Sequence, residues 1–573
     1  MLNKEKILIL ISIILLSYNS YIISNIYQTG YIINEYDYYP LEFYFSIFFC
    51  FLIGSYLIYS TKKIVYSIIL FIINIQIFLI PICLGYFFQQ RADYISYASE
   101  YSDIIKNKII SNWDIYPFFE IVGALLYSFS GIMVNQLSRW ISLIFSLLFT
   151  VNLIIYSKNF LNKKNDTYLI AIISSFILYL SGYHYSNAPN SLSFAIIPII
   201  LLLFHNIYKK SNDYKNNILL IIFIISLPFT HPFIVLFFYF IQTVNLFIML
   251  YMKKPIKNLL YIFGLYNLSV LSWIFYNQFT NKSLERSWLS FIERLSTPTY
   301  FQTLNQLQLI KMDLLGFINY LLFEYGRYLI PTFIISIYFL LITLNKVNLK
   351  DDKSNYFYLF IFYITSVVVE ILLLFNPIIT HQPDRIINLN FILFFQIALF
   401  SYSLHGLIKI RIKQINNIII PLILTIIFSL SFFNTFASSN NYSPNGELTL
   451  NEVIGVKWLT RNSQDNIIVG TPISQMKRFY EFLDVPTNGV SFLTLKDHLG
   501  YDVKNSTFSS NILNNNENIY IVLLTLDERL YTDVSGYNVV NRFNSEDFNK
   551  LKNDYTVNKI YSSLNIDIFN SFK

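Results

Sequence analysis

The sequence predicts a mainly α, polytopic helical membrane protein of about fourteen apolar segments, with a small α/β domain at its C-terminal end. Three observations predict it. Charged residues make up only 13% of the 573 residues, and mean hydropathy is +0.48, so no water-soluble core could hide so much apolar surface. The apolar residues fall into runs near the length a helix needs to cross hydrocarbon, and open strands would leave backbone groups unpaired in lipid. From about residue 437 the composition changes to polar, Asn-rich sequence carrying Asp, Glu and Lys throughout.

The first run starts at Ile7, behind Lys4 and Lys6, and continues past Tyr21 with no small-residue cleavage site, which reads as a retained first span. Further runs lie at 42–60, 64–87, 117–134, 140–157, 167–183, 191–208, 217–229, 232–251, 258–278, 328–345, 355–375, 386–406 and 416–436. Cys50 and Cys83 both sit inside apolar runs, which excludes a disulfide framework. There is no CxxC, P-loop or dinucleotide fingerprint, and nothing points to a nucleic-acid partner.

Short loops rich in Lys and Arg stay in the cytoplasm. Here they are Lys4/Lys6, Lys62/Lys63, Lys158/Lys163/Lys164, Lys209/Lys210/Lys215, Lys253/Lys254/Lys257, Lys346/Lys350/Lys353 and Lys409/Arg411/Lys413. From Lys158 onward they alternate with loops at 182–190, 229–232, 279–327 and 376–385, which places that second set and everything after 436 outside, with the N-terminus in the cytoplasm. The loop at 88–116 must also be outside. Two apolar segments then separate it from the cytoplasmic loop at 158–166, where an odd number of crossings is needed. Either 117–134 is a partly inserted or re-entrant segment, or one loop breaks the charge rule.

The external loops hold most of the unusual polar residues. The loop at 88–116 carries Arg91, Asp93, Glu100, Asp103 and Asp114; within it, Tyr94, Tyr97, Tyr101, Ile104, Ile105 and Ile109 recur near helical spacing, which predicts an amphipathic surface helix over 93–110. Later loops carry His184, the Pro228-Phe229-Thr230-His231-Pro232 turn, and Thr380-His381-Gln382-Pro383-Asp384-Arg385. His231 between two prolines fits a structural turn, and Arg385 fits an interfacial anchor. Glu370, deep in a predicted span, would be costly facing lipid.

Several of these pieces together resemble the GT-C glycosyltransferases: Arg91-Ala92-Asp93 behind an early span, the surface helix to Ile110, Tyr116-Pro117 opening an apolar segment, and Ser130-Gly131 closing it. The Arg139-Trp140 step is similar to one in the aminoarabinose-transferase and protein O-mannosyltransferase branch. Pro383-Asp384-Arg385 is similar to the Arg-bearing loop before a late span in such proteins, and Glu452–Leu459 resembles the C-terminal domains of archaeal members. The chain departs from the pattern in having Tyr97 and Tyr101 where members often carry a His, no second Asp beside Asp93, and no Trp-Trp-Asp motif.

The resemblance implies transfer of a sugar from a polyprenyl-phosphate donor to an extracytoplasmic acceptor, which is a glycan, lipid or protein. It makes Asp93 the base that takes the acceptor's proton, and Arg385, Arg91, His381 and His231 the holders of the donor phosphate. No cofactor is certain, and a divalent metal is compatible with the chemistry. Two other classes compete: a transporter or flippase of lipid-linked saccharides, and a non-enzymatic envelope protein. A transporter would show internal repeats and polar residues near mid-membrane; here no repeat is evident and the polar residues crowd one side.

The expected organisation is a transmembrane domain over 1–436 and an extracytoplasmic α/β domain over 437–573. In the latter, Thr449-Leu-Asn-Glu452 reads as a capping box, Ile467–Val469, Ile519–Leu526 and Lys559–Ser562 as strands, Ser545 to Lys552 as a helix, and Asp497-His498 as a surface polar pair.

Overall fold

The computed structural model of the chain describes residues 4–27, 30–111, 114–161, 166–209, 214–296, 314–344, 353–374, 392–411, 416–438, 445–463, 466–495, 501–502, 507–508, 518–534, 543–554 and 557–571. Among the described residues sixteen α-helices precede the C-terminal region: α1 (Lys4–Asn25), α2 (Leu41–Thr61), α3 (Ser67–Cys83), α4 (Asp93–Asn107), α5 (Pro117–Ser130), α6 (Val134–Phe160), α7 (Thr167–Ser174), α8 (Pro189–Lys209), α9 (Tyr214–Ser226), α10 (Pro232–Tyr251), α11 (Lys257–Tyr276), α12 (Gln278–Ser296), α13 (Leu314–Thr343), α14 (Lys353–Leu374), α15 (Ile392–Arg411) and α16 (Asn416–Phe432). Among the described residues nine helices are long and apolar enough to cross a membrane: α1, α2, the 64–83 helix, α6, α8, α10, α11, α13 and α14. The apolar helices α5, α9, α15 and α16 are shorter.

The ends of the bundle are marked by ion pairs. At one end Lys62 meets Asp166 at 2.9 Å and Lys63 meets Glu5 at 2.9 Å, so the N-terminus and the turns after α2 and α6 share a face. At the other end the segment after α3 pairs with the C-terminal region: Phe88 and Leu448 form an antiparallel bridge.

Between the segment after α3 and Asp166 the chain runs from one end to the other once, in α6, whose 27 residues span about 40 Å at 1.5 Å each. The 14-residue α5 lies along α4 instead. Gly123 makes this possible, because a Cβ there would fall 2.4 Å from the Tyr101 ring. Of the two alternatives for 117–134, the shortness of α5 and its packing along α4 fit the partly inserted segment. The surface helix expected over 93–110 is α4, ending at Asn107 where Lys108 turns left-handed at φ 55°.

Two apolar runs differ from expectation. The run at 167–183 is α-helical only to Ser174 and ends in a short 3-10 turn from Ser181. Its continuation is irregular, and its backbone is enclosed by protein: Ile177, Leu178 and Tyr179 are at most 1% exposed, and the Tyr328 hydroxyl donates to the Tyr179 carbonyl at 2.7 Å. Non-helical backbone at membrane depth is tolerated only under such cover. The run expected at 328–345 is the second half of α13, whose first half, 314–325, continues the apolar helix.

The C-terminal region opens with α17 (Leu450–Asn462), whose Thr449–Glu452 capping box is fully formed. A five-stranded sheet follows, in the order β2-β1-β5-β7-β6, with β1 (Ile467–Thr471), β2 (Val490–Thr494), β5 (Asn518–Leu524), β6 (Asn558–Ser563) and β7 (Ile566–Ser571). β1 is parallel to β2 and β5; β7 is antiparallel to β5 and β6. Tyr501–Asp502 and Thr507–Phe508 make a separate two-stranded ribbon, β3 and β4. The period-two rule is visible in β5: Tyr520, Val522 and Leu524 join the core under α17, and Ile519, Ile521 and Leu523 join the core on the opposite face. Three more helices are α18 (Met476–Phe482), α19 (Thr525–Asp533) and α20 (Ser545–Asn553). The strand read over Ile519–Leu526 stops at Leu524, since Asp527 accepts the Leu524 amide and starts α19. Asp497-His498 lies outside the described residues.

Candidate functional site

The site is built on the segment 88–120. Gln90 and Ala92 hold positive φ angles of 66° and 56°, each strained by about 1 kcal/mol or more for a non-glycine residue. Between them Arg91 is 8% exposed. Its Nη2 donates to both Glu452 oxygens, at 2.7 and 2.9 Å, and to the Glu447 carbonyl at 2.9 Å. Glu452 is also the capping-box acid, accepting from the Thr449 amide and hydroxyl. One buried ion pair therefore fixes both the start of α17 and the kink that launches α4, and Arg91 is committed to that seam.

Asp93 is the first residue of α4, where the free amides of a helix N-terminus favour an anion. Its side chain is 53% exposed, with Oδ1 accepting from Nη2 of Arg478, in α18, at 3.1 Å. The next turns of α4 are clamped on two sides. Ile95 and Ala98 pack into the core of the C-terminal region, while Tyr101 enters the helical core and donates to Asn187 Oδ1 at 2.8 Å.

A third side of α4 carries Tyr97 and Glu100, one and two turns beyond Asp93. The Tyr97 ring meets Tyr116 edge-on at 5.6 Å, and Tyr116 stacks on His231 at 5.3 Å with 15° between planes. A ring path thus runs from Tyr97, one turn beyond Asp93, through Tyr116 to His231. His231 is 8% exposed and lies in the short turn before α10.

Beside this aromatic path Glu100, Asp114 and Glu120 each bring a carboxylate oxygen within 4.8 Å of the others. Asp114 is held by its own turn, its Oδ2 accepting from the Ser111 amide at 3.0 Å, and its carbonyl accepts from Asn277 Nδ2 at the α11–α12 junction. Glu120 is 3% exposed, and its Oε2 has no hydrogen-bond partner. Burial, then the charges of Asp114 and Asp103, push Glu100 up to about 7, and burial raises Asp114 as well. Three crowded carboxylates with a spare buried oxygen form a donor set suited to a hard divalent cation.

Of the residues singled out in the sequence, Asp93 and His231 are brought to one region and Arg91 is placed in the adjoining seam. Arg385 and His381 lie outside the described residues. Glu120 escaped notice in the sequence because it sits within an apolar segment; the signal was there, since an acid in such a segment is expensive without a partner.

No protein-family model matches the sequence, and no curated protein matches it. Among solved structures, the chain is similar to the crystal structure of ArnT from Cupriavidus metallidurans bound to undecaprenyl phosphate, at 9% identity and a TM-score of 0.47, over 89% of this chain and 98% of that one. The apo structure of the same protein gives 9% identity and a TM-score of 0.45, over 88% and 97%. At this similarity the likeness assigns no activity or substrate to the chain.

Proposed function

We propose that the chain is a membrane glycosyltransferase of the GT-C type, which moves a sugar from a polyprenyl-phosphate donor to an acceptor on the extracytoplasmic side. The observation that carries this reading is the position of Asp93. It is a half-exposed carboxylate at a helix N-terminus, at the end of the bundle where Glu100, Asp114, Glu120 and His231 also gather.

In this reading the N-terminus is cytoplasmic, and residues 437–573 form an extracytoplasmic domain that covers the site. The acceptor hydroxyl gives its proton to Asp93 as its oxygen bonds to the sugar's anomeric carbon. The bond from that carbon to the donor phosphate breaks, and the polyprenyl phosphate leaves with the electron pair. For this Asp93 must exchange Arg478 for the acceptor, an exposed contact that costs little to break. Arg385 and His381, in the sequence preceding α15, are assigned to the leaving phosphate, and His231 is assigned to the same phosphate. Glu100, Asp114 and Glu120 would hold a divalent metal, which when bound supplies positive charge near the phosphate.

The test is transfer from a prenyl-phosphate sugar in reconstituted membranes. Asp93→Asn should abolish turnover while donor binding largely survives, and Arg385→Ala should weaken donor binding. Normal transfer by both variants would overturn the reading and leave a non-enzymatic envelope protein as the better description.

A further inference from the structure

Away from Asp93, the turn between α1 and α2 meets the linker that leads into α17. The two are laced together: Glu35 N donates to the Ala437 carbonyl at 3.3 Å, Asn445 Nδ2 donates to the Ile32 carbonyl at 2.8 Å, and the Tyr31 hydroxyl donates to the Asn445 carbonyl at 2.6 Å. Within this seam lie two acids, Glu35 and Glu447, each 1% exposed. Among the described residues no hydrogen bond of good geometry reaches any of their four carboxylate oxygens. The Tyr39 hydroxyl, 4 residues on from Glu35, is also buried without a partner.

Orphaned buried carboxylates are rare, because each gives up its hydration and receives nothing in return. Nearby cations balance these two only in part: Arg139 and Arg91, with the Gln90 amide, lower Glu447 less than burial and Glu35 raise it, and Arg91 already pairs with Glu452. Burial alone pushes Glu35 up to about 8, and burial together with the charge of Glu35 holds Glu447 well above the usual carboxylate range. Burial, and then the charge of Glu35, raise the Tyr39 hydroxyl.

We propose that Glu35 and Glu447 hold a hard divalent cation, of the calcium or magnesium class, which fastens the linker of the C-terminal region to the turn between α1 and α2. The donor set is all oxygen: four carboxylate oxygens and the Tyr39 hydroxyl, with water completing the shell, as such ions require. The cation supplies the charge the seam lacks and joins residues 412 positions apart in the chain. The site stands apart from Glu100, Asp114 and Glu120 and does not depend on the transferase reading.

The test uses the full chain in detergent, stripped with chelator and melted at neutral pH with sodium, magnesium or calcium chloride at equal ionic strength. A Glu100→Gln, Asp114→Asn, Glu120→Gln variant removes the other carboxylate cluster. In that background a divalent ion should raise the melting temperature by several degrees, and terbium should give tyrosine-sensitised emission that calcium quenches. Adding Glu35→Gln and Glu447→Gln should abolish both responses while leaving a folded protein at least as stable as the stripped parent. If the parent background shows no divalent response, or the response survives both Gln substitutions, the proposal is wrong and the two acids are protonated and hydrated.

Discussion

Oδ1 of Asp93 lies 3.1 Å from Nη2 of Arg478, so the residue assigned as the base touches the C-terminal region across 385 positions of sequence. Both side chains are substantially exposed, 53% and 35%, and such pairs contribute only about 0.2–1 kcal/mol. Asp93→Asn is therefore expected to abolish transfer without changing the melting temperature measurably. Arg478→Ala should also leave stability nearly unchanged. Loss of fold in either variant, seen by circular dichroism, would contradict the assignment.

The Arg91–Glu452 pair should behave oppositely. Both partners are buried, so Arg91→Ala leaves Glu452 charged and unpaired, at a cost of about 3–5 kcal/mol. Limited proteolysis should cut the Arg91→Ala variant near residues 445–449 faster than the parent. Replacing both by apolar residues, Arg91→Met with Glu452→Leu, should recover part of the loss, because no unpaired charge remains.

The α4–α5 contact is tested by Gly123→Ala. The added methyl meets Tyr101 at 2.4 Å, and overpacking of this kind costs about 1–3 kcal/mol. Melting should fall accordingly. A second change, Tyr101→Leu, should return part of it by clearing the space, and an undiminished melt in Gly123→Ala alone would show that the two helices do not pack so closely.

Acid–base linkage gives a further check. Glu100 is raised to about 7 in the folded protein, above its ordinary value, so the folded state binds this proton more tightly than the unfolded state. Its contribution to stability is full at acidic pH and is lost as pH rises toward and through 7. Chelator-treated protein should melt lower at pH 8 than at pH 5.5, and Glu100→Gln should flatten part of that slope. An unchanged slope in Glu100→Gln would show that other groups carry it.

Topology is checked by labelling. In a background lacking Cys50 and Cys83, a cysteine at Asn558 should react with an impermeant reagent added outside, and one at Lys62 only after permeabilisation. The reverse pattern would invert the assigned orientation.

The sequence by itself determined the helical membrane class, the position of nearly every apolar helix, the amphipathic helix α4, and three of the strands, the Ser545–Asn553 helix and the capping box of the C-terminal region. These follow from local causes: run length, periodicity of apolar residues, and residues that satisfy helix-end amides a few positions away. Only the tertiary structure decided that α5 folds back along α4, because that depends on a missing Cβ at Gly123 facing Tyr101. It likewise decided the fate of the polar residues. Arg91 and Asp93 are neighbours in sequence, yet the first is buried against Glu452, 361 positions away, and the second stands half in solvent. The Glu100–Asp114–Glu120 cluster and the Glu35–Glu447 seam are set in the same way. A carboxylate's surroundings are fixed by which distant segments pack over it, and no local pattern carries that information.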